Sequence, residues 1–363
     1  MTQQIAIVGY GFAGQRMDKV LAFARQQNPN RFSPPVLIDE KLGRGVIGES
    51  PVYPTLEQAM EAHAFDAAIV AVNEERHFDV LSQLVQSGIT RILCEKPLTS
   101  TLEDALRLKP HLSSHLFTMN MVERFSPVFD DFFSWRETMP PLRVSRVQLF
   151  WGKDRIRDKR PTMGVLSEVI HPLDIASYAF GFNAFTVQEG FVHHSDFSSC
   201  PDKAVADTLH CKLVSDTDCV VSAHASFAWM ERRREMFAHL VSQTGCYIVH
   251  FQFDMPRWDC DRLRIYEVSP TDGQRTCLFD KSYTNADFPP ELDQLNKVSR
   301  FVLASLEAPE PTTQKSTGPL VTLDQAIKLQ ALLNQLQVSL EGSSETIHEK
   351  LMTFEAEDDY GYA

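Results

Sequence analysis

The sequence predicts an α/β fold in two parts: a doubly wound parallel sheet, then an α/β domain on a large, open, mainly antiparallel sheet. Three observations carry this. Short apolar runs alternate with helical periods through the first third, the pattern of strands joined by crossover helices. A glycine-rich turn links the first such strand to the first helix. Beyond about residue 180 strand candidates follow one another with no helical period between them, which fits an antiparallel sheet better than further βαβ units.

Ile5–Gly9 reads as a buried strand. Met17, Val20, Leu21 and Ala24 then fall at i, i+3, i+4 and i+7 of a helix over 12–27, which Asn28-Pro29-Asn30 stops. Val36–Asp39 is the next strand. Thr55 caps a short helix to about His63, a strand covers Ala67–Val72, and Phe78, Leu81, Leu84 and Val85 share one face of a helix that Gly88 ends. The strand Arg91–Cys94 runs straight into Glu95-Lys96-Pro97. From about 120 the rhythm changes. Ser126-Pro127 starts a helix with Val128, Phe129, Phe132 and Phe133 inward, a strand spans 142–151, and a long helix runs from about Gly164 to Phe180. Strands are expected at 184–192, 205–214, 218–229, 235–242, 246–253 and 261–267, with turns at Thr244-Gly245 and Asp272-Gly273. Arg232-Arg233-Arg234 falls between two of them and reads as a hairpin or a subunit contact. Thr322 and Gln325 form a capping box before a closing helix to about Leu340.

A length of 363 residues, with 23% charged and 43% hydrophobic, suits two domains of about 150 residues each. The expected division is 1–119, 120–343 and an acidic tail over 344–363. No apolar run approaches the ~20 residues that span a bilayer, and MTQQIAIVGYG has neither a basic leader nor a cleavage site, so the expectation is a cytoplasmic chain with no membrane partner. A formal net charge of −13 opposes attraction to phosphate backbones, which excludes nucleic acid. The seven cysteines form no CxxC pair or Cys/His cluster, so reduced, mostly buried thiols are expected and no metal.

Gly9-x-Gly11-x-x-Gly14 follows a strand and opens a helix, the context that makes the pattern a dinucleotide fingerprint and the first part a Rossmann domain. The glycines permit a tight turn, close approach of backbone to a pyrophosphate, and close packing of helix on strand, with Phe12 and Ala13 in the first helical turn beneath the anion. Asp39, closing the second strand, suits the ribose hydroxyls of NAD and repels a 2′-phosphate. Lys41 and Arg44 just beyond keep NADP as the alternative cofactor. Parallel sheets bind ligands at their C-terminal strand ends, and Lys96 stands at such an end. A lysine beside a nicotinamide, partly desolvated, suits proton exchange with a substrate hydroxyl.

Gly9-x-Gly11-x-x-Gly14, Asn73-x-x-x-His77, Cys94-Glu95-Lys96-Pro97-Leu98 and His171-Pro172-Leu173-Asp174 together resemble the Gfo/Idh/MocA oxidoreductases (glucose-fructose oxidoreductase, inositol dehydrogenase, rhizopine catabolism). The resemblance spans about 1–340. It implies that Val72, Asn73, His77, Glu95 and Lys96 contact the cofactor, that Lys96 binds the substrate and relays protons, and that His171 takes the proton of the hydroxyl being oxidised. Imidazole titrates nearest neutrality and is the base such a hydride transfer needs. Relatives carry an aspartate four residues before this histidine; here that position is Ser167, leaving Glu168 and Asp174 as the candidate partners of His171. Asn120 and Arg124 match a segment that lines the sugar pocket in relatives, and Arg155 and Arg157, in a basic stretch with Lys153, Lys159 and Arg160, are candidate contacts for an anionic substrate group. The expected function is NAD(P)-dependent hydride transfer between nicotinamide and a hydroxyl or keto carbon of a sugar, cyclitol or sugar derivative, by a homodimer or homotetramer. The alternatives are a non-catalytic dinucleotide- or sugar-binding regulator, and an imine reductase or redox lyase that uses bound NAD.

Overall fold

Four apolar residues, Ile5–Val8 (β1), run through the centre of the first sheet and are buried on both faces, as a parallel strand covered by helices requires. The computed structural model describes residues 2–154, 164–195, 205–308, 318–340 and 345–346. The helix Phe12–Gln27 (α1) buries Met17, Val20, Leu21 and Ala24. Next come Val36–Ile38 (β2), the hairpin strands Gly45–Ile47 (β3) and Ser50–Tyr53 (β4), and the helix Leu56–Ala62 (α2), whose N-cap Thr55 accepts the Gln58 N–H. Ala67–Val70 (β5), His77–Gln86 (α3), Arg91–Cys94 (β6), Leu102–Leu112 (α4) and Leu116–Met119 (β7) complete the unit. The order is β3-β4-β2-β1-β5-β6-β7. Connections reverse direction between β1 and β5, which opens a ligand crevice at their C-terminal ends.

The β3–β4 hairpin, α4 and β7 have no counterpart in the sequence reading. Pro110 inside α4 and the mostly exposed β3 break the local patterns that would announce them.

The second part begins with a 3₁₀ turn, Val122–Phe125, and the helix Pro127–Glu137 (α5). Its strands are Arg143–Asp154 (β8), Phe185–Ser195 (β9), Val205–Ser215 (β10), Val220–Ser226 (β11), Ala228–Val241 (β12), Cys246–Gln252 (β13), Asp261–Val268 (β14) and Arg275–Tyr283 (β15); the helix Leu166–Phe180 (α6) follows β8. After β15 come the helices Asn296–Glu307 (α7) and Leu323–Leu340 (α8), then Glu345–Thr346 (β16). The sheet runs β15-β14-β13-β12-β8-β11-β10-β9-β16, with only β8–β11 and β9–β16 parallel. The fold class expected from sequence is therefore the one observed. No described helix is long and apolar enough to cross a membrane.

One expectation is corrected. Arg232-Arg233-Arg234 is not a hairpin: it lies inside β12, where the pairing with β8 slips between Ala228 and Arg233. Three consecutive charges look like a loop, but Arg234 is buried and fully employed, as shown below.

α5 and α6 cover one face of the large sheet. Phe129 and Phe132 from α5 meet Phe251 from β13 with ring centroids 5.5 and 5.1 Å away, and Phe253 joins Phe129 at 5.6 Å. The chain end then ties the two sheets together. Val298, Phe301 and Val302 of α7 share a core with β1 and α1, and Met119 at the end of β7 bridges to Val321 before α8.

Truncation of Phe129, 1% exposed, removes the ring that two of these three contacts share. Phe129→Ala is expected to lower unfolding stability by about 3–5 kcal/mol, read as a fall in the denaturant midpoint.

Candidate active site

The turn after β1 is shaped by what glycine lacks. Gly9 has φ +93°, and a Cβ there would stand 2.7 Å from the backbone of Ala71 and Val72 beyond β5; a Cβ on Gly14 would stand 2.1 Å from the Gly9 carbonyl. Both positions therefore exclude any side chain. Gly11 differs, because a Cβ there meets nothing within 4 Å. It is the N-cap of α1, it supplies no side-chain acceptor, and the first turn, Phe12 and Ala13 included, holds no acidic residue. An open, acid-free helix N-terminus beside a side-chain-free turn fits the pyrophosphate of a dinucleotide. Asp39 stands over the same turn: its Oδ2 accepts the Tyr10 N–H at 2.8 Å and its Oδ1 the Lys41 N–H at 2.9 Å. Those bonds orient the carboxylate and leave further lone pairs for ribose hydroxyls.

Lys96 follows β6 and reaches across to α6. Its Nζ donates to the Ser167 carbonyl at 2.8 Å and lies 3.3 Å from Glu168 Oε1. Lys153, at the end of β8, meets the other oxygen of Glu168 at 2.6 Å, so one buried carboxylate holds two ammonium groups. One turn further along α6 stands His171. Its ring stacks on Trp151 of β8, centroids 5.8 Å apart and planes 19° apart. Its Nδ1 lies 2.9 Å from Glu123 Oε2, an ion-pair contact outside hydrogen-bond geometry.

Glu123 heads a string of buried charges. Its other oxygen lies 3.3 Å from Arg234 Nη1, which also meets Asp254 at 2.5 Å; Lys297 lies 2.5 Å from Asp254 and 3.1 Å from Asp261; and the Ser126 hydroxyl donates to Asp261 at 2.5 Å. All four acids and bases beyond Glu123 are at most 2% exposed. Burial alone would push the Glu123 carboxyl up, but the adjoining His171, then Arg234 and Lys297, outweigh it and hold it well below the usual carboxylate range. Burial likewise opposes charge on Lys297, and Asp254, Asp261 and Glu123 overcome it, so this ammonium is held above its ordinary range.

Residues 3–116 match the sequence profile described as oxidoreductase family, NAD-binding Rossmann fold, the Gfo/Idh/MocA profile. That match takes in the whole parallel sheet except the end of β7. Inositol 2-dehydrogenase of Corynebacterium glutamicum (strain R) is 26% identical over 152 residues, 38% of this chain and 41% of that protein, so this match spans less than half the relative's length. Inositol 2-dehydrogenase of Leifsonia xyli subsp. xyli is 22% identical over 282 residues, 72% of this chain and 77% of that protein. Among solved structures, levoglucosan dehydrogenase in complex with NADH superposes with a TM-score of 0.71 at 14% identity, covering 95% of this chain and 98% of that one. That likeness in fold extends over both sheets.

Several of the roles expected from sequence change. Neither Glu168 nor Asp174 contacts His171. Glu168 is engaged by Lys96 and Lys153, and Asp174 forms a bidentate pair with Arg124 at 2.6 and 2.7 Å. Arg124, expected as a substrate contact, is consumed by that pair, and both residues line a cleft of about 1120 Å³ whose wall holds neither Lys96 nor His171. His77, expected at the cofactor, is 1% exposed, and its two ring nitrogens face the Pro97 and Val72 carbonyls at 2.7 and 3.1 Å. It braces the ends of β5 and β6 rather than offering its ring to a ligand, and burial lowers its pKa. Asn73 precedes the 3₁₀ turn that leads into α3, and its side chain makes no capping bond there. Asn120 donates to Glu95 Oε1 at 2.7 Å, which fixes the carboxylate next to Lys96. Arg155 and Arg157 lie outside the described residues.

The sequence reading missed Glu123 and Arg234. The available signal was a lone acid in an apolar stretch, Met121-Val-Glu-Arg-Phe125, between two residues already singled out. Gly14→Ala, by forcing backbone apart at the Gly9 carbonyl, is expected to weaken NADH binding at least about tenfold, measured by fluorescence titration.

Proposed function

We propose that the chain is an NAD-dependent oxidoreductase that interconverts a hydroxyl and a keto group on a sugar, cyclitol or sugar derivative. The observation that carries this reading is the reach of Lys96 from the first sheet to within one turn of His171 on the second. Two groups able to handle a substrate proton thus come from different elements, one following β6 and one on α6, to within a helical turn of each other. Bound NAD supplies the acceptor for the hydride.

The residues divide the rest of the work. The Lys96 ammonium, held by Ser167 and Glu168, donates a hydrogen bond to the reacting oxygen and polarises it. His171 removes the hydroxyl proton as the carbon–hydrogen bond breaks and the carbon–oxygen double bond forms. Nδ1 faces Glu123, so that nitrogen carries the N–H and Nε2 is the acceptor. Once protonated, the imidazolium is stabilised by the same carboxylate, as in other His–carboxylate pairs. Glu123 therefore takes the place of the aspartate that Ser167 replaces, from a different segment of the chain. Trp151 covers one face of the imidazole and shields it from water.

The outer face of the nine-stranded sheet carries Phe150 edge-on to Phe237 and Phe237 stacked on His250, and Phe191 on β9 is 44% exposed. An apolar face of this extent is the surface we assign to a homodimer or homotetramer.

Assay of NADH formation over a panel of sugars and inositols tests the reading. Lys96→Met and His171→Ala should each lower kcat about 10²–10⁴-fold, and equal turnover by either variant would contradict the assignment. Glu123→Gln removes the charge that favours imidazolium, so the acidic limb of the kcat/KM profile should move to lower pH. An unmoved limb would show that Glu123 does not act on His171.

A further inference from the structure

Three guanidinium groups surround one indole. The Cζ atoms of Arg16, Arg232 and Arg234 lie 4.5, 4.6 and 4.9 Å from the Trp258 ring centroid. Arg234 also lies over Trp151 at 4.8 Å, and Trp151 stacks on His171. The cluster is thus two ring contacts from the proposed base. Arg16 ties it to the helix that opens on the coenzyme turn, two residues after Gly14.

Arg234 is neutralised by Asp254 and Glu123. Arg16 and Arg232 are not. Among the described residues neither has a carboxylate within ion-pair distance: Arg16 donates to the Gln294 carbonyl at 2.8 Å, and the Arg232 Nη1 is buried with no hydrogen-bond partner. The acids around them are already engaged. Asp254 holds Arg234 and Lys297, Asp259 accepts the Asn296 and Lys297 N–H groups, and Glu95 accepts from Asn120. Burial, aided by Arg234, lowers the pKa of both guanidinium groups, that of Arg232 to about 10. A clasp between α1 and β12 would need one cation on the ring. Two unpaired cations converging beside a third are unfavourable unless an anion completes the site.

We propose that Arg16 and Arg232 form an oxyanion subsite for a carboxylate or phosphate borne by the substrate, at a distance from the carbon that reacts. Planar guanidinium groups pair with either anion through parallel N–H donors. The inference rests on the oxidoreductase reading, and narrows its substrate to acidic sugars or cyclitols.

Calorimetric titration in the presence of NADH with D-glucuronate, D-glucose 6-phosphate and D-glucose tests the subsite without requiring turnover. One of the two acids is expected to bind at least about tenfold tighter than glucose, and which one distinguishes carboxylate from phosphate. Arg232→Ala should erase the preference and Arg232→Lys should retain part of it, while NADH affinity stays within about twofold. Arg233→Ala, which alters the opposite face of β12 where Arg233 pairs with Glu235, should leave the preference intact. Binding of all three sugars alike, no binding of either acid, or loss of NADH affinity in place of acid affinity would overturn the subsite. Acid preference without NADH formation from NAD would fail the oxidoreductase reading alone, and turnover of neutral polyols without acid preference would fail the subsite alone.

Discussion

The site depends on a run of alternating charges buried where the two sheets meet: His171, Glu123, Arg234, Asp254, Lys297 and Asp261. The run draws on α6, the 3₁₀ turn after β7, β12, the loop after β13, α7 and β14. Buried ion pairs contribute little net stability, because desolvation offsets most of the Coulomb attraction. Removing one member is another matter, since its neighbour is left as an uncompensated buried charge. The string therefore acts as a positional device: each charge fixes the next, and the last one fixed is the imidazole.

This arrangement also explains why the chain returns to its start. α7 carries Lys297 into the string on one side and packs Val298, Phe301 and Val302 against β1 and α1 on the other. The coenzyme turn and the proposed base are thus built into one continuous body. Lys96 closes the link from the opposite direction, with an ammonium rooted at β6 and held by the first turn of α6. The two proposed catalytic groups, one following β6 and one on α6, are thus tied to each other by the contacts of Lys96 with Ser167 and Glu168.

The parts legible in the sequence are those encoded locally. Gly9, Gly11 and Gly14 announce a turn whose steric reason lies within a few residues, and apolar periodicity places α1, α3, α5 and α6 within a residue or two of where they fold. The partner of His171 was not legible. Ser167 signals that the usual carboxylate is missing, but its replacement lies 48 positions upstream on another element, and helical spacing points instead to Glu168 and Asp174. Arg234 was hidden for the opposite reason. Its two charged neighbours make the segment look solvent-exposed, while alternation along β12 turns Arg233 outward and Arg234 into the core. Long-range ion pairs leave no periodic trace, so they emerge only once the strands are in register.

The central claim is that an ammonium from the first sheet and an imidazole from the second act on one oxygen beside the nicotinamide. A crystal structure with NADH bound tests it most directly. The account predicts Lys96 Nζ and His171 Nε2 both within hydrogen-bonding reach of a single water or ligand oxygen next to the ring's hydride-bearing carbon, with His171 Nδ1 still on Glu123. A structure in which either nitrogen turns away from that carbon would contradict it.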